Sequence, residues 1–449
     1  MSTIAAISTP SGIGGIAVVR LSGPEAFAIA SHHLTLPKPD ASRPAASFSR
    51  FRKDGNLIDE VVVTLFRAPH SYTGDDTVEI SCHGSLYVQQ TILQTLIDSG
   101  ARLAEPGEFT RKAFLNGKLN LSQAEAVADL IDSTNATSHR LAISQLRGGY
   151  AKELEQLRQQ LVDLTALLEL ELDFSEEDVE FADRRRLHSL ASQIYTRIIA
   201  LRESFHMGNA LKRGIPVAII GRPNAGKSSL LNALLRDNRA IVSDIPGTTR
   251  DTIEETFVVK GTPFRIIDTA GLRHSDDPIE TLGIQRTIET VVQADIILYV
   301  HDATQPFLQA LDDLQELQDI RTFKDKHLFI VNNKMDLVQE NPIAPYRTFP
   351  ISAKNGTGLE DLTSALARIA STDFAQAPDV MLTNVRHYDA LGHVEQALLH
   401  VAKGLADRLP ADLVAIDLRD ALHHLGTITG QVTSDEVLGS IFSRFCVGK

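Results

Sequence analysis

Residues Ile215-Pro216-Val217-Ala218-Ile219-Ile220 are an apolar run that stops at Gly221-Arg222-Pro223-Asn224-Ala225-Gly226-Lys227-Ser228 and gives way to Ser229-Leu230-Leu231-Asn232-Ala233-Leu234-Leu235. A buried strand, a glycine-bearing loop and an amphipathic helix in that order are the setting a phosphate-binding P-loop needs. Gly221 and Gly226 let the backbone curl until successive N–H groups face one anion, and the helix N-terminus adds partial positive charge. Lys227 then reaches the β- and γ-phosphates, and the Ser228 hydroxyl sits on Mg²⁺. A plain glycine turn would explain the glycines but not Lys-Ser at this spacing.

Three later stretches select the nucleotide. Phe264-Arg265-Ile266-Ile267-Asp268-Thr269-Ala270-Gly271 reads as a strand ending in an acid and a flexible turn, where a nucleotide triphosphatase senses the γ-phosphate. Leu328 to Asn333 is another strand, leading into Lys334-Met335-Asp336. A carboxylate at Asp336 accepts from the N1–H and exocyclic amine of guanine, a pattern adenine lacks, while the Lys334 stem covers the base face. After one more strand, Arg347 to Ile351, the Ser352-Ala353-Lys354 loop backs the same base. Four such motifs in order, each after an apolar run, resemble the translation-factor-like GTPase superfamily.

Length and composition bound the remainder. At 449 residues and 43% hydrophobic, the chain has material for two to four domains. Its net charge of -13, from 57 acidic and 44 basic residues, argues against a generally basic surface, so any RNA contact is local. The two cysteines, Cys82 and Cys446, exclude a disulfide framework and point to a reducing compartment. No signal-like leader opens the chain and no stretch approaches the ~18 apolar residues of a membrane span. The expectation is a soluble, cytoplasmic protein.

In chain order, Thr3 to Ile7 and Ile16 to Leu21 read as strands either side of a tight turn at Pro10-Ser11-Gly12-Ile13-Gly14-Gly15. Leu57 to Phe66 and Thr77 to Ser81 are further strands, and Tyr87 to Ser99 has helical spacing stopped by Gly100. Leu154, Leu157, Leu161, Leu164 and Leu168 then mark one helical face, as do Leu391, Val394, Leu398 and Val401. The acidic run Glu169 to Glu180 and Arg184-Arg185-Arg186 read as solvated helix ends. The fold expected is multidomain α/β and α: an N-terminal α+β domain (1–118), a discontinuous helical domain (119–213 and 375–449) and an inserted Ras-like P-loop GTPase domain (214–374). Insertion at a surface loop is compatible with folding because domain termini often lie close together.

The position after Asp-x-x-Gly, where many small GTPases place a water-orienting Gln, holds Leu272. A polar group must come from elsewhere, and Glu280 is the nearby acid, although an exposed helix-start carboxylate is equally compatible with it. An amide oxygen at Asn224 plus carbonyls of the loop Ser243 to Asp251 suit a monovalent cation. At the end, Cys446-Val447-Gly448-Lys449 does not fit a prenylation box; a reactive thiol or a small buried side chain both suit it.

Beyond the GTPase motifs, Gly14 to Arg20, Ser71-Tyr72-Thr73-Gly74-Asp75, Ala113 to Leu119, Glu280 to Arg286 and the Cys446-Val447-Gly448-Lys449 terminus make the whole chain resemble the tRNA-modification GTPases of the TrmE-Era-EngA-like family. The family more often has Ile where Val447 stands. The resemblance implies GTP contacts from Asn224-Ala225-Gly226-Lys227-Ser228-Ser229, Ser243-Asp244-Ile245-Pro246-Gly247-Thr248-Thr249, Asp268-Thr269-Ala270-Gly271, Asn333, Lys334, Asp336 and Ser352-Ala353-Lys354. It implies Mg²⁺ on Ser228 and Thr249, K⁺ on Asn224, Ser243, Ile245 and Thr248, and Glu280 as the catalytic acid. It implies a 5-formyl-tetrahydrofolate or related tetrahydrofolate, a one-carbon source, on Arg20, Glu79, Lys118 and Lys449. Two lysines and an arginine suit an anionic glutamate tail, and a carboxylate suits the donor edge of a pterin. Also implied are a homodimer, a heterotetramer or larger complex with the FAD-containing partner MnmG, and tRNA. The joint product would be an aminomethyl or carboxymethylaminomethyl group on C5 of the wobble uridine, with Cys446 a candidate participant. Two other classes stay open on the residues alone: a ribosome-assembly GTPase with an RNA-binding appendage, and a folate-dependent transferase with a vestigial GTPase.

Overall fold

The structure, a computed structural model, describes residues 2–38, 43–173, 184–238, 255–267, 288–318, 326–338, 348–373, 380–443 and 445–448. Packing divides the chain into two units, Met1–Ala128 with Gln145–Leu190 and Ala397–Lys449, and Asp129–Ser144 with Ala191–Gln396.

In the first unit, strands β1 (Ile4–Ile7), β2 (Ile16–Ser22), β3 (Ala45–Lys53), β4 (Asn56–Phe66), β5 (Thr77–His83) and β6 (Arg102–Leu103) form one sheet in the order β3-β4-β5-β2-β1-β6. All neighbours are antiparallel except β1 and β6. Strand alternation sends Val19, Leu21, Val61, Val63, Val78 and Ile80 into a core closed by Ile92 and Leu96 of a helix, α2 (Leu86–Asp98); α1 (Ala26–Ser31) adds Ile29. The other sheet face carries Arg20, paired across the strands with Glu79.

This unit also holds α3 (Glu108–Leu115), α4 (Leu121–Ile131) as far as Ala128, and α6 (Gly149–Asp173), whereas α5 (Ala136–Leu146) belongs to the second unit up to Ser144. The predicted leucine seam of α6, Leu154 to Leu168, is wholly buried. It is the apolar stripe by which a helix stays folded, because propensity alone leaves isolated helices marginal.

The second unit is an α/β sheet of β7 (Ile215–Ile220), β8 (Thr256–Val259), β9 (Thr262–Ile266), β10 (Ile296–Asp302), β11 (His327–Asn333) and β12 (Thr348–Pro350). Its order is β12-β11-β10-β7-β9-β8, parallel but for β8. In β7, Ile215, Val217 and Ile219 enter the core on one face, while Ala218 and Ile220 enter the core on the other. Burial on both sides is why this strand is an unbroken apolar run rather than an alternation. After α7 (Arg184–Arg213), α8 (Lys227–Asn238) and α10 (Leu359–Asp373) cover the first face with Leu230, Leu234, Leu362 and Leu366. On the second face α9 (Leu308–Gln318) places Ala310 and Leu314. Each such leucine contributes about 1.5–3 kcal/mol by leaving water, so Leu230→Ala would loosen the helix that follows the loop.

From β7 the chain passes to β9 on one side and to β10 on the other, so the order reverses between β7 and β10. Loops at the carboxyl ends of strands diverge at such a point and leave a crevice for a ligand. Helices α11 (Val385–Ala406), α12 (Ala411–Thr429) and α13 (Asp435–Phe442) end the chain, with Leu391, Val394, Leu398 and Val401 buried as predicted. Among the described residues no helix is long and apolar enough to cross a membrane.

Candidate functional site

The loop after β7 has the shape that the glycine spacing predicts. Gly221 has φ +139°, and a Cβ there would lie 2.2 Å from the Val300 carbonyl oxygen; Gly226 has φ +95°, with a Cβ 2.1 Å from Asn333 Nδ2. Both positions therefore exclude any side chain. Asn224 takes φ +62°, a left-handed conformation that Asn tolerates better than most residues. Lys227 folds back over the loop, donating from Nζ to the carbonyls of Gly221 (2.8 Å) and Arg222 (2.9 Å). Burial holds its ammonium below the usual lysine range. An anionic phosphate beside it would reverse that cost, since a nearby opposite charge favours the charged form. These features fit a phosphate chain, and Ser228 stands at the first turn of α8.

Asn333, at the end of β11, joins the parts. Its Nδ2 donates to the Ala225 carbonyl at 2.9 Å and its Oδ1 accepts from the Ala353 N–H at 3.0 Å. One buried side chain so ties the phosphate loop to the 352–354 loop, and a buried amide with both ends satisfied fixes its neighbours. Ser352 donates to Asp336 Oδ1 at 2.6 Å, and that bond holds the exposed carboxyl below its ordinary range, with Lys354 and Lys334 adding to it. An ionised Asp336 presents only acceptors, as a guanine donor edge requires. Lys334 lies at φ +66°, and its Nζ pairs with Asp302 Oδ2 at 2.6 Å.

Sequence reasoning missed a second cluster beside the loop. Arg222 forks onto Asp313 of α9, with Nε and Nη2 at 2.9 and 2.8 Å from its two oxygens, and reaches Gln309 Oε1 at 3.1 Å. Tyr299 donates to Asp313 at 2.6 Å. Burial would raise the Asp313 carboxyl, but the Arg222 and Tyr299 bonds outweigh it and hold it low. Arg222, Tyr299 and Gln309 border a cavity of about 310 Å³ that also reaches Asn224 and Asp302.

The first unit holds a separate constellation. Arg20 pairs with Glu79 through Nε (2.9 Å) and Nη2 (2.8 Å) to Oε1, on the sheet face opposite the α2 core. The rings of Tyr72 and Phe109 flank the guanidinium at 5.7 and 5.5 Å, within cation–π range. Its Nη1 lies 3.4 Å from the Gly448 carbonyl, which also accepts from Ser8 Oγ at 3.1 Å. Phe445, packed with Phe442, Ile441 and Leu121, anchors this tail. Lys118 donates to the Pro69 carbonyl at 3.0 Å, at the start of the loop that carries Tyr72. Thus Arg20, Glu79 and the terminal motif meet, while Lys118 braces the 69–75 loop. The Cys446 side chain is exposed, against the buried alternative, whereas burial pushes the Cys82 thiol up to about 11.

The readings at Ser243, Asp244, Ile245, Pro246, Gly247, Thr248, Thr249, Asp268, Thr269, Ala270, Gly271, Glu280 and Lys449 lie outside the described residues.

Comparison with known proteins places the chain. The family model for the GTP-binding protein TrmE N-terminus matches residues 3–118, and that for the MnmE helical domain matches residues 121–446. A tRNA modification GTPase MnmE of Parabacteroides distasonis is 49% identical over 464 aligned positions, covering 100% of both chains. Those of Bacteroides thetaiotaomicron (47%) and Cytophaga hutchinsonii (46%) cover 100% of this chain and 99% and 98% of their own. Among solved structures, the G domain of the T. maritima FeoB iron transporter is 27% identical, covering 35% of this chain and 98% of its own, with a TM-score of 0.26. The two family models and the full-length relatives agree: the chain belongs to the MnmE family of tRNA modification GTPases.

Proposed function

We propose that this chain hydrolyses GTP and uses the cycle to drive tRNA modification. The observation that carries the reading is Asn333, which ties the Lys227 loop to the Ser352-Ala353-Lys354 loop at the carboxyl ends of parallel strands. In this reading Asp336 accepts from guanine and the Lys334 stem lies over the base. Lys227 and the loop N–H groups from Asn224 to Ser229 draw in the phosphates, and Ser228 with Thr249 holds Mg²⁺. Asn224, Ser243, Ile245 and Thr248 would hold potassium, whose positive charge offsets charge developing on the phosphoryl oxygens. Glu280 takes the water-orienting role that Leu272 cannot fill. The segments Ser243 to Asp251 and Leu272 to Glu280 would order with GTP and relax after hydrolysis.

The finer reading concerns the modification itself. With the flavin-containing MnmG, in a heterotetramer or larger assembly, the product is an aminomethyl or carboxymethylaminomethyl group on C5 of the wobble uridine. A tetrahydrofolate supplies the one-carbon unit when bound. Arg20, Glu79, Lys118 and Lys449 would hold it, a reading supported by the flanked Arg20–Glu79 pair at the terminal motif. A homodimer has support in an apolar row on the open sheet face, where Phe48 is 64% exposed and faces Val62, 46% exposed, across the strands. The division is at 1–118, 119–213, 214–374 and 375–449, and its first boundary has support from family models that meet between residues 118 and 121.

The test is GTP hydrolysis by the purified chain in potassium against sodium at equal ionic strength, followed by mass spectrometry of wobble nucleosides in tRNA treated with the partner. Potassium-stimulated turnover and a C5-modified uridine are expected. Equal rates in both salts would remove the cation site, and unmodified tRNA would remove the modification reading.

A further inference from the structure

Asp302 ends β10 and is the acid that faces Lys334. Both of its carboxylate oxygens are engaged. Oδ2 receives the Lys334 ammonium at 2.6 Å, and Oδ1 accepts from the Thr304 N–H at 3.0 Å and its hydroxyl at 2.7 Å. The carboxylate is therefore fixed from its own turn before it meets the lysine. The backbones are tied as well, since the Ala303 N–H donates to the Asn333 carbonyl at 2.9 Å. Lys334 is thus held at two levels, by a left-handed backbone and by an anchored head, so the four-carbon stem is fixed at both ends. A free lysine stem samples many rotamers, and ordering it on binding subtracts from affinity.

We propose that Asp302 is a positioning residue for guanine nucleotides, acting through Lys334: it orders the stem in advance so that the base meets a preformed cover. This rests on the guanine reading of Lys334 and Asp336. Asp302 touches no nucleotide in this scheme. Its effect is on how long the nucleotide stays, and it travels by way of one lysine.

Dissociation of N-methylanthraniloyl-GDP from the full chain tests it. Asp302→Asn keeps an acceptor for Thr304 but loses the charge, and should speed dissociation roughly tenfold, near the ceiling for ordering one long side chain. On a Lys334→Ala background the same change should add less than about twofold, the non-additivity of residues that act as a unit. Thr304→Val, which frees Oδ1 from the hydroxyl, should act in the same direction by a smaller factor and also vanish on that background. It provides a second route if Asp302→Asn does not fold. Unchanged dissociation in these variants, or equal acceleration with and without Lys334, would overturn the proposal. Asp336→Asn, measured alongside, separates the two levels. If it fails to shift preference towards xanthine nucleotides, the guanine reading falls and takes this proposal with it; if it shifts preference while Asp302→Asn has no effect, only the role of Asp302 falls.

Discussion

The nucleotide site and the Arg20 constellation are built by opposite means. The first is mostly backbone: two glycines that admit no Cβ, two left-handed residues and one buried asparagine hold the loops at the ends of β7, β11 and β12. The second is side chains gathered from two strands, a loop and α3, where Glu79, Tyr72 and Phe109 surround Arg20 and Arg20 reaches one carbonyl of the chain terminus. A backbone cradle suits a phosphate chain, which every GTP shares. A side-chain cluster suits a ligand recognised by its particular groups. The first kind leaves contiguous motifs in a sequence, and the second does not.

Substitutions can break or sharpen this contrast. Lys227→Ala removes the cation that folds across the phosphate loop, and should lower GTP turnover by roughly 10²–10³-fold, the scale of losing one aimed charge. Steady-state phosphate release measures it, and an Arg20-dependent folate titration should not move. Glu280→Ala should lower hydrolysis by about 10²-fold while GDP binding stays as in the parent chain. Wild-type turnover would remove Glu280 from the site. The smallest effect belongs to Arg20→Gln, which leaves Glu79 half-satisfied at a cost of about 1 kcal/mol, read as a lower melting temperature. GTP hydrolysis should be unaffected, whereas folate binding should fall. A loss of GTPase activity in Arg20→Gln would contradict the separation of the two regions.

Much of the nucleotide site is legible in the sequence because its elements are short and ordered along the chain. β7, β11 and β12 fall where apolar runs meet Gly221, Asn333 and Ser352. β10 escapes a motif-led reading although Ile296 to Val300 is apolar, because no motif follows it, only Asp302. The two ion pairs beside the site are also hidden. Asp302 and Lys334 are 32 positions apart, Arg222 and Asp313 are 91, and nothing local marks either acid as a partner. The same holds for Arg20 and Glu79, 59 positions apart, which only resemblance links. Their meeting follows from the β2–β5 register, a tertiary fact. The leucine seam of α6 is legible for the opposite reason: 3.6-residue periodicity is written in consecutive turns.

The central claim is that the crevice at the end of these strands reads guanine through Asp336 and hydrolyses its triphosphate. The most direct measurement compares kcat/KM for GTP and for xanthosine triphosphate in the parent chain and in Asp336→Asn. The parent should favour GTP, and the variant should lose roughly 10–100-fold on GTP, as expected for a hydrogen-bonded charge, while gaining on the xanthine nucleotide. The same preference for GTP in both proteins would contradict the account.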